Sequence, residues 1–168
     1  MDIIYPGTFD PVTNGHFDVI ERSSRLFKKV IVAVAASSGK QPMFSQTERV
    51  EMIRESIKPL SRVVVEAFSV LLIDYAKEKG IKNILRSLRV ASDFEYELQL
   101  ALMYRAQDRE LETIFLMPNQ KYIFLSSSMI REIARLGGDI KAFVPEYVYN
   151  QILKKIGHYH DNVRRERR

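Results

Sequence analysis

The chain has no cysteine and no tryptophan, and it holds only seven glycines and six prolines in 168 residues. The lack of thiols excludes disulfides, cysteine-based zinc sites and cysteine nucleophiles, so covalent chemistry would have to use Ser, Thr, Lys, Asp, Glu, Tyr or His. No stretch of eighteen consecutive apolar residues occurs, and the N-terminus lacks a basic segment followed by a long apolar run. A protein of the cytoplasm with no membrane partner is therefore expected. The body carries no repeat or low-complexity segment, and its length suits one core better than two. One domain is expected over 1–157, followed by a basic, flexible tail over 158–168.

The formal net charge is +5. Four arginines against Asp161 and Glu166 in the tail supply +2 of it and leave +3 on the body. That balance suits a site for a small polyanion and argues only weakly for a surface that tracks a nucleic-acid backbone, so no nucleic-acid partner is expected.

The most informative stretch is the first one. Ile3-Ile4-Tyr5 is short, apolar and partly β-branched, Pro6-Gly7 breaks it, and a helical pattern starts at Asn14-Gly15, which together read as strand, loop and helix start. Unpaired N–H groups at a helix start favour an anion, and small residues in the preceding loop let it approach the main chain. Gly7 and Gly15 supply permissive backbone, Thr8 and Thr13 supply hydroxyls, and His16 falls in the first turn. Asp10 is the odd residue: a carboxylate beside a phosphate site has to cap, fix a turn or hold a cation.

Downstream, Phe17, Ile20, Ser24 and Phe27 recur at helical steps, and the continuous apolar run Val30 to Ala36 reads as a strand covered on both faces. Ser45 and Glu48 have capping-box spacing before a helix that reaches Pro59. A third strand is expected over Arg62 to Glu66, then a helix capped by Ser69 and stopped at Gly80. A fourth strand is expected over Ile81 to Leu85, then a long helix opened by Ser92 and Glu95 with Phe94, Leu98, Ala101, Leu102 and Arg105 along one side. Thr113 to Met117 reads as a fifth strand, Ser126-Ser127-Ser128 as the start of a helix, and Pro145 as the start of a last helix ending at Gly157. Strands alternating with helices describe an α/β, single-domain, Rossmann-like open five-stranded parallel sheet with helices on both faces.

Ligands in such sheets bind beyond the carboxyl ends of the strands. Those ends contribute His16, Lys40, Arg86 and Arg89, with hydroxyls at Thr8, Ser126, Ser127 and Ser128. Several cations and helix starts around one crevice suit a ligand, or a pair of ligands, with more than one phosphate. Asp93 and Glu97 are four apart and share a helix face, from which they would meet a nucleotide or pair with nearby arginines.

Tyr5-Pro6-Gly7-Thr8-Phe9-Asp10-Pro11-Val12-Thr13-Asn14-Gly15-His16 resembles the start of the bacterial phosphopantetheine adenylyltransferases, with Thr13-Asn14-Gly15-His16 matching the T/H-x-G-H signature of the wider nucleotidyltransferase superfamily. The likeness continues through Lys40-Gln41-Pro42-Met43-Phe44, Arg86-Ser87-Leu88-Arg89, Ser92 to Glu97 and Ser126-Ser127-Ser128, and spans roughly residues 2 to 156. The resemblance implies transfer of the adenylyl group of ATP to 4'-phosphopantetheine, giving dephospho-coenzyme A and pyrophosphate in coenzyme A biosynthesis. It implies Mg2+ as cofactor with no metal ligand assigned to the protein, coenzyme A as a feedback ligand, and a homohexamer.

By the same resemblance Thr8, His16, Lys40 and Arg89 form the catalytic set, and Thr8 and His16 hold the α-phosphate. Phe9, Gly15, Glu97, Ser127 and Ser128 join Thr8, His16 and Arg89 around ATP. Lys40 and Arg86 bind the acceptor phosphate, and Thr8, Leu72 and Tyr104 accompany the phosphopantetheine. Two positions depart from the family pattern. Ser87 stands where the family usually has glycine, which raises backbone strain if positive φ is needed there. Tyr104 stands where the family usually has asparagine.

Overall fold

The computed structural model describes residues 1–36 and 42–166, leaving out the side chains of 92 and 158–166. The elements are β1 (Asp2–Gly7), α1 (Asn14–Leu26), β2 (Lys29–Ala35), α2 (Gln46–Ile57), β3 (Val63–Phe68), α3 (Leu72–Lys79), β4 (Asn83–Ser87), α4 (Ala91–Gln107), β5 (Glu112–Leu116), a short 3₁₀ turn (Gln120–Tyr122), α5 (Ser127–Arg135) and α6 (Glu146–Glu166). The strands pair in parallel in the order β3-β2-β1-β4-β5. This is the open five-stranded sheet the sequence leads one to expect.

The alternation of strand side chains builds two layers. On one face Ile3, Tyr5, Val30, Val32 and Val34 pack with Val19 and Ile20 of α1, Met52 and Ile53 of α2, Ile130 of α5, and Val148 and Ile152 of α6. On the other, Ile4, Ile31, Ala33 and Ile84 pack with Ile73, Tyr75 and Ala76 of α3. Each fully buried Val, Leu or Ile contributes about 1.5–3 kcal/mol against the entropy of ordering the chain.

The element ends are partly as expected. Ser45 caps α2 reciprocally with Glu48, and Gly80 closes α3 at φ 65° in the left-handed region. Ser69 does not cap α3; Leu71 occupies that position without a side-chain cap bond. β4 runs to Ser87, so Arg86 and Ser87 lie inside the strand and only a short turn precedes α4. Ser92 is therefore the second residue of that helix, and Val90 holds the cap position expected for it. Asp93 orders the turn in its place, accepting the Arg89 N–H at 3.1 Å. Gly157 does not end α6, which continues to Glu166; a glycine inside a helix costs about 1 kcal/mol relative to alanine, too little to break it alone.

α4 leaves much of that side open. Phe94, Leu98 and Leu102 are 45, 37 and 60% exposed, and Tyr96 and Met103 beside them are exposed as well. The periodicity marks an apolar face, but the described residues do not cover it.

β1 leads through α1 to one side of the sheet and β4 leads through α4 to the other. Their adjacent carboxyl ends frame the crevice where strand order reverses.

Candidate active site

The crevice floor is built by the loop after β1. Phe9 adopts φ 49°, an uncommon left-handed conformation for a bulky residue, which turns its ring back over Gly7. A Cβ at Gly7 would stand 2.7 Å from that ring, so only glycine fits. The buried ring meets Tyr5 edge-on at 5.4 Å and His16 at 5.2 Å, a geometry aromatic pairs favour.

Asp10 fixes the loop from below. Its carboxylate accepts the N–H groups of Met43 and Phe44, both at 2.9 Å, and pairs with Arg131 at 3.4 Å. Arg131 also donates to the Asp10 carbonyl and to Ser128 Oγ, which ties this loop to α5. On the far side Arg49, 1% exposed, donates to the carbonyls of Thr8 at 2.6 Å, Ala35 at 2.9 Å and Phe44 at 3.1 Å. Asp10 thus shapes the loop, one of the roles its position allowed.

The start of α1 determines the state of His16. Thr13 is the cap residue: its Oγ1 accepts the His16 N–H, and its own N–H donates to His16 Nδ1 at 3.1 Å. A backbone N–H can only donate, so Nδ1 is an acceptor and the ring proton sits on Nε2. Burial, reinforced by the positive charge of Arg89, pushes the His16 pKa down from 6.5 to about 4. His16 is a neutral donor whose Nε2–H is left for the crevice.

The two arginines do not stand free. Arg86 grips Glu97 with two hydrogen bonds, at 2.5 and 2.7 Å. Arg89 meets Asp93 through Nε at 3.1 Å and Nη2 at 3.2 Å, and donates to the Leu125 carbonyl at 2.8 Å. The shared face of Asp93 and Glu97 therefore serves as a counter-charge for both arginines. Burial works against the Asp93 carboxylate, but the guanidinium and N–H of Arg89 outweigh it and hold its pKa below the usual carboxylate value.

Two cavities open here. The larger, about 250 Å³, is lined by Gly15, His16, Arg89, Tyr122, Ser127 and Ser128 among others. The smaller, about 150 Å³, is lined by Thr8, Phe9, His16, Arg86, Ser87 and Glu97 with Tyr5, Pro6 and Gly7. They share His16, Ser87 and Glu97. At α5, Ser126 caps Met129 N at 3.1 Å, while Ser127 and Ser128 hold the first two helical positions, whose N–H groups a helix cannot satisfy internally. Ser127 Oγ donates to the Pro11 carbonyl at 2.8 Å and fixes that helix start against the first loop.

Leu72 and Tyr104 pack, with Phe68, at the edge of the second core layer, and burial raises the Tyr104 pKa against the opposing pull of the Arg86 charge. Ser87 is not at positive φ, so the strain that serine at a glycine position raised is absent. Lys40 lies outside the described residues.

Sequence reasoning missed Arg49, Arg131 and Tyr122. Arg131 stands one helical turn after Ser127 and Ser128, a spacing that puts it over the same helix start, whereas Arg49 carried no signal beyond its charge in an otherwise apolar helix face. Among the described residues no three His, Asp or Glu side chains group to hold a metal ion, and no helix is long and apolar enough to cross a membrane.

A polyanion crevice at the strand-order reversal of a parallel sheet defines a nucleotide-handling α/β protein, and a cytidylyltransferase-like family model matches residues 4–133. The chain belongs to that class and, within it, to the phosphopantetheine adenylyltransferases. It is 53% identical over 152 residues to the phosphopantetheine adenylyltransferase of Alkaliphilus metalliredigens, covering 90% of this chain and 97% of the relative. It is likewise 53% identical over 156 residues to that of Thiobacillus denitrificans, covering 93% and 98%. A solved structure from Vibrio parahaemolyticus, named as a nicotinate-nucleotide adenylyltransferase, shares the fold at a TM-score of 0.65 and 22% identity, over 90% of this chain and 97% of that one.

Proposed function

We infer that the joined cavities carry out the reaction for which the curated relatives are named, transfer of the adenylyl group of ATP to 4'-phosphopantetheine. An oxygen of the acceptor phosphate attacks the α-phosphorus, the bond from that phosphorus to the α–β bridging oxygen breaks, and pyrophosphate leaves with the electron pair. The products are dephospho-coenzyme A and pyrophosphate. The observation that carries this reading is the meeting of two polar-lined cavities at a neutral histidine N–H.

The larger cavity takes ATP, with its β and γ phosphates at Ser127, Ser128 and Arg89, and with Gly15 giving close main-chain approach. Tyr122 offers the nucleotide an aromatic wall. The smaller cavity takes the acceptor phosphate at Arg86, with Lys40 assigned on the family resemblance and with Leu72 and Tyr104 beside the pantetheine arm. Thr8 and His16 hold the α-phosphate, and Phe9 positions His16 from beneath. Glu97 acts through Arg86.

A phosphate monoester has a second pKa near about 6 and is mostly dianionic at neutral pH, so the nucleophile needs no strong general base. What remains is to bring two polyanions into line. Fixed N–H groups and arginines offset their repulsion and stabilise charge on the group in transit. The described residues fit Mg2+ carried on the phosphates of ATP, where it would neutralise phosphate charge, better than a protein cage: Asp10, Asp93 and Glu97 already have partners.

We also propose, on the family resemblance, a cytoplasmic homohexamer with coenzyme A as a feedback ligand at this crevice. The uncovered apolar face of α4 supports self-association. Purified protein with magnesium-ATP and 4'-phosphopantetheine tests the reaction: equal yields of pyrophosphate and dephospho-coenzyme A are expected. Turnover only with a different phosphorylated acceptor would overturn the substrate assignment.

A further inference from the structure

We propose that the Ser87 hydroxyl is a catalytic hydrogen-bond donor, held by Tyr5 and directed at the phosphoryl group as it passes between the two cavities. Ser87 is the last residue of β4, paired with Leu116 of β5, and the strand fixes its backbone. It is one of the three residues common to both cavities. Of the others, Glu97 is engaged by Arg86 and is an acceptor with no proton to offer, and His16 brings its one N–H. Ser87 adds a second neutral donor at the junction.

Its orientation follows from Tyr5. The buried Tyr5 hydroxyl donates to Ser87 Oγ at 3.2 Å. Burial pushes the Tyr5 pKa up to about 12, so this phenol keeps its proton at neutral pH. The ring is fixed in turn by its edge contact with Phe9. A serine oxygen that accepts from Tyr5 keeps its own O–H to give, and the open side of this hydroxyl is the crevice. A preset donor of this kind lowers the barrier when it meets charge that grows in the transition state.

The inference rests on placing the α-phosphate at His16, and the experiment separates the two claims. Steady-state turnover of ATP and 4'-phosphopantetheine is measured for S87A, S87G, Y5F, Y5F/S87A and H16A, with urea unfolding of each as a check on folding. S87A and S87G should lower kcat by about tenfold while both KM values stay within about twofold. Y5F should lower kcat less, and Y5F/S87A should fall no further than S87A alone, because Tyr5 acts through Ser87. Against the separate diastereomers of α-thio-ATP, the S87A loss should shrink for the one that places sulfur, a poor acceptor, at Ser87. A kcat for S87A within about twofold of the parent, or an equal loss with ATP and both thio diastereomers, would overturn the inference. If H16A also turned over normally, the α-phosphate placement would fail with it; an impaired H16A beside a normal S87A would reject the Ser87 donor alone.

Discussion

Arg86 and Glu97 meet in a two-pronged ion pair on the crevice wall, Nε to Oε2 at 2.5 Å and Nη2 to Oε1 at 2.7 Å, with both side chains mostly buried. On the proposed function, an incoming acceptor phosphate would meet an arginine already fixed by a carboxylate, which sets its direction and tempers its charge. Removing one partner leaves the other charge buried and unpaired. Arg86→Ala should cost about 3–5 kcal/mol of stability, and the Arg86→Ala/Glu97→Ala double variant should be more stable than Arg86→Ala alone. Urea unfolding of Arg86→Ala, Glu97→Ala and the double variant decides it, and strictly additive losses would show that the pair is not coupled.

His16 has a folded pKa of about 4 against an ordinary 6.5. Between those values the unfolded chain binds the proton more readily, so the contribution of neutral His16 to stability is complete above about 6.5 and is lost as pH falls toward 4. In the nucleotide-free protein, imidazole nitrogen NMR should show the Nε2–H tautomer down to about pH 5, with protonation only below it. A midpoint near 6.5 or a proton on Nδ1 would contradict the capping geometry.

Gly7 is set by the Phe9 ring, since an added Cβ would lie 2.7 Å from it. Gly7→Ala should displace the ring, release His16 from its edge contact and cost about 1–3 kcal/mol through overpacking. Loss of turnover should exceed what the drop in stability explains at 25 °C. Unchanged activity in a folded variant would separate Phe9 from the placement of His16.

The apolar face of α4 makes self-association testable. Replacing Leu102 and Met103 by Glu should shift the sedimentation profile toward smaller species, because two charges on an interface core lack partners. An unchanged profile would move the interface elsewhere.

Much of this site was legible because its signals are local. Gly7, Thr13, Gly15 and His16 lie within ten residues, and a strand, a breaker and a helix start need only that span to declare themselves. The five strands were legible from their β-branched runs. A loop-shaping role for Asp10 was among those read, but its partners were not legible, because they are the N–H groups of Met43 and Phe44, more than thirty residues away. Pairing of Asp93 and Glu97 with nearby arginines was one of the two options their shared face offered, but which arginine each meets was hidden, because only the sheet brings β4 against that face. The boundary of β4 was misplaced because polar residues at a strand end look like loop. The stripe on α4 was legible as a face but not in its exposure, because periodicity reports that a face is apolar and not what covers it.

The most direct measurement of the central claim is a comparison of His16→Ala with the parent in two quantities, the Kd for ATP and kcat at saturation. A neutral donor that acts on charge growing at the α-phosphate should cost kcat roughly 10²–10³-fold on removal while the Kd changes by less than about threefold. Parallel losses in ATP affinity with kcat unchanged at saturation would make His16 a ground-state contact and contradict the account.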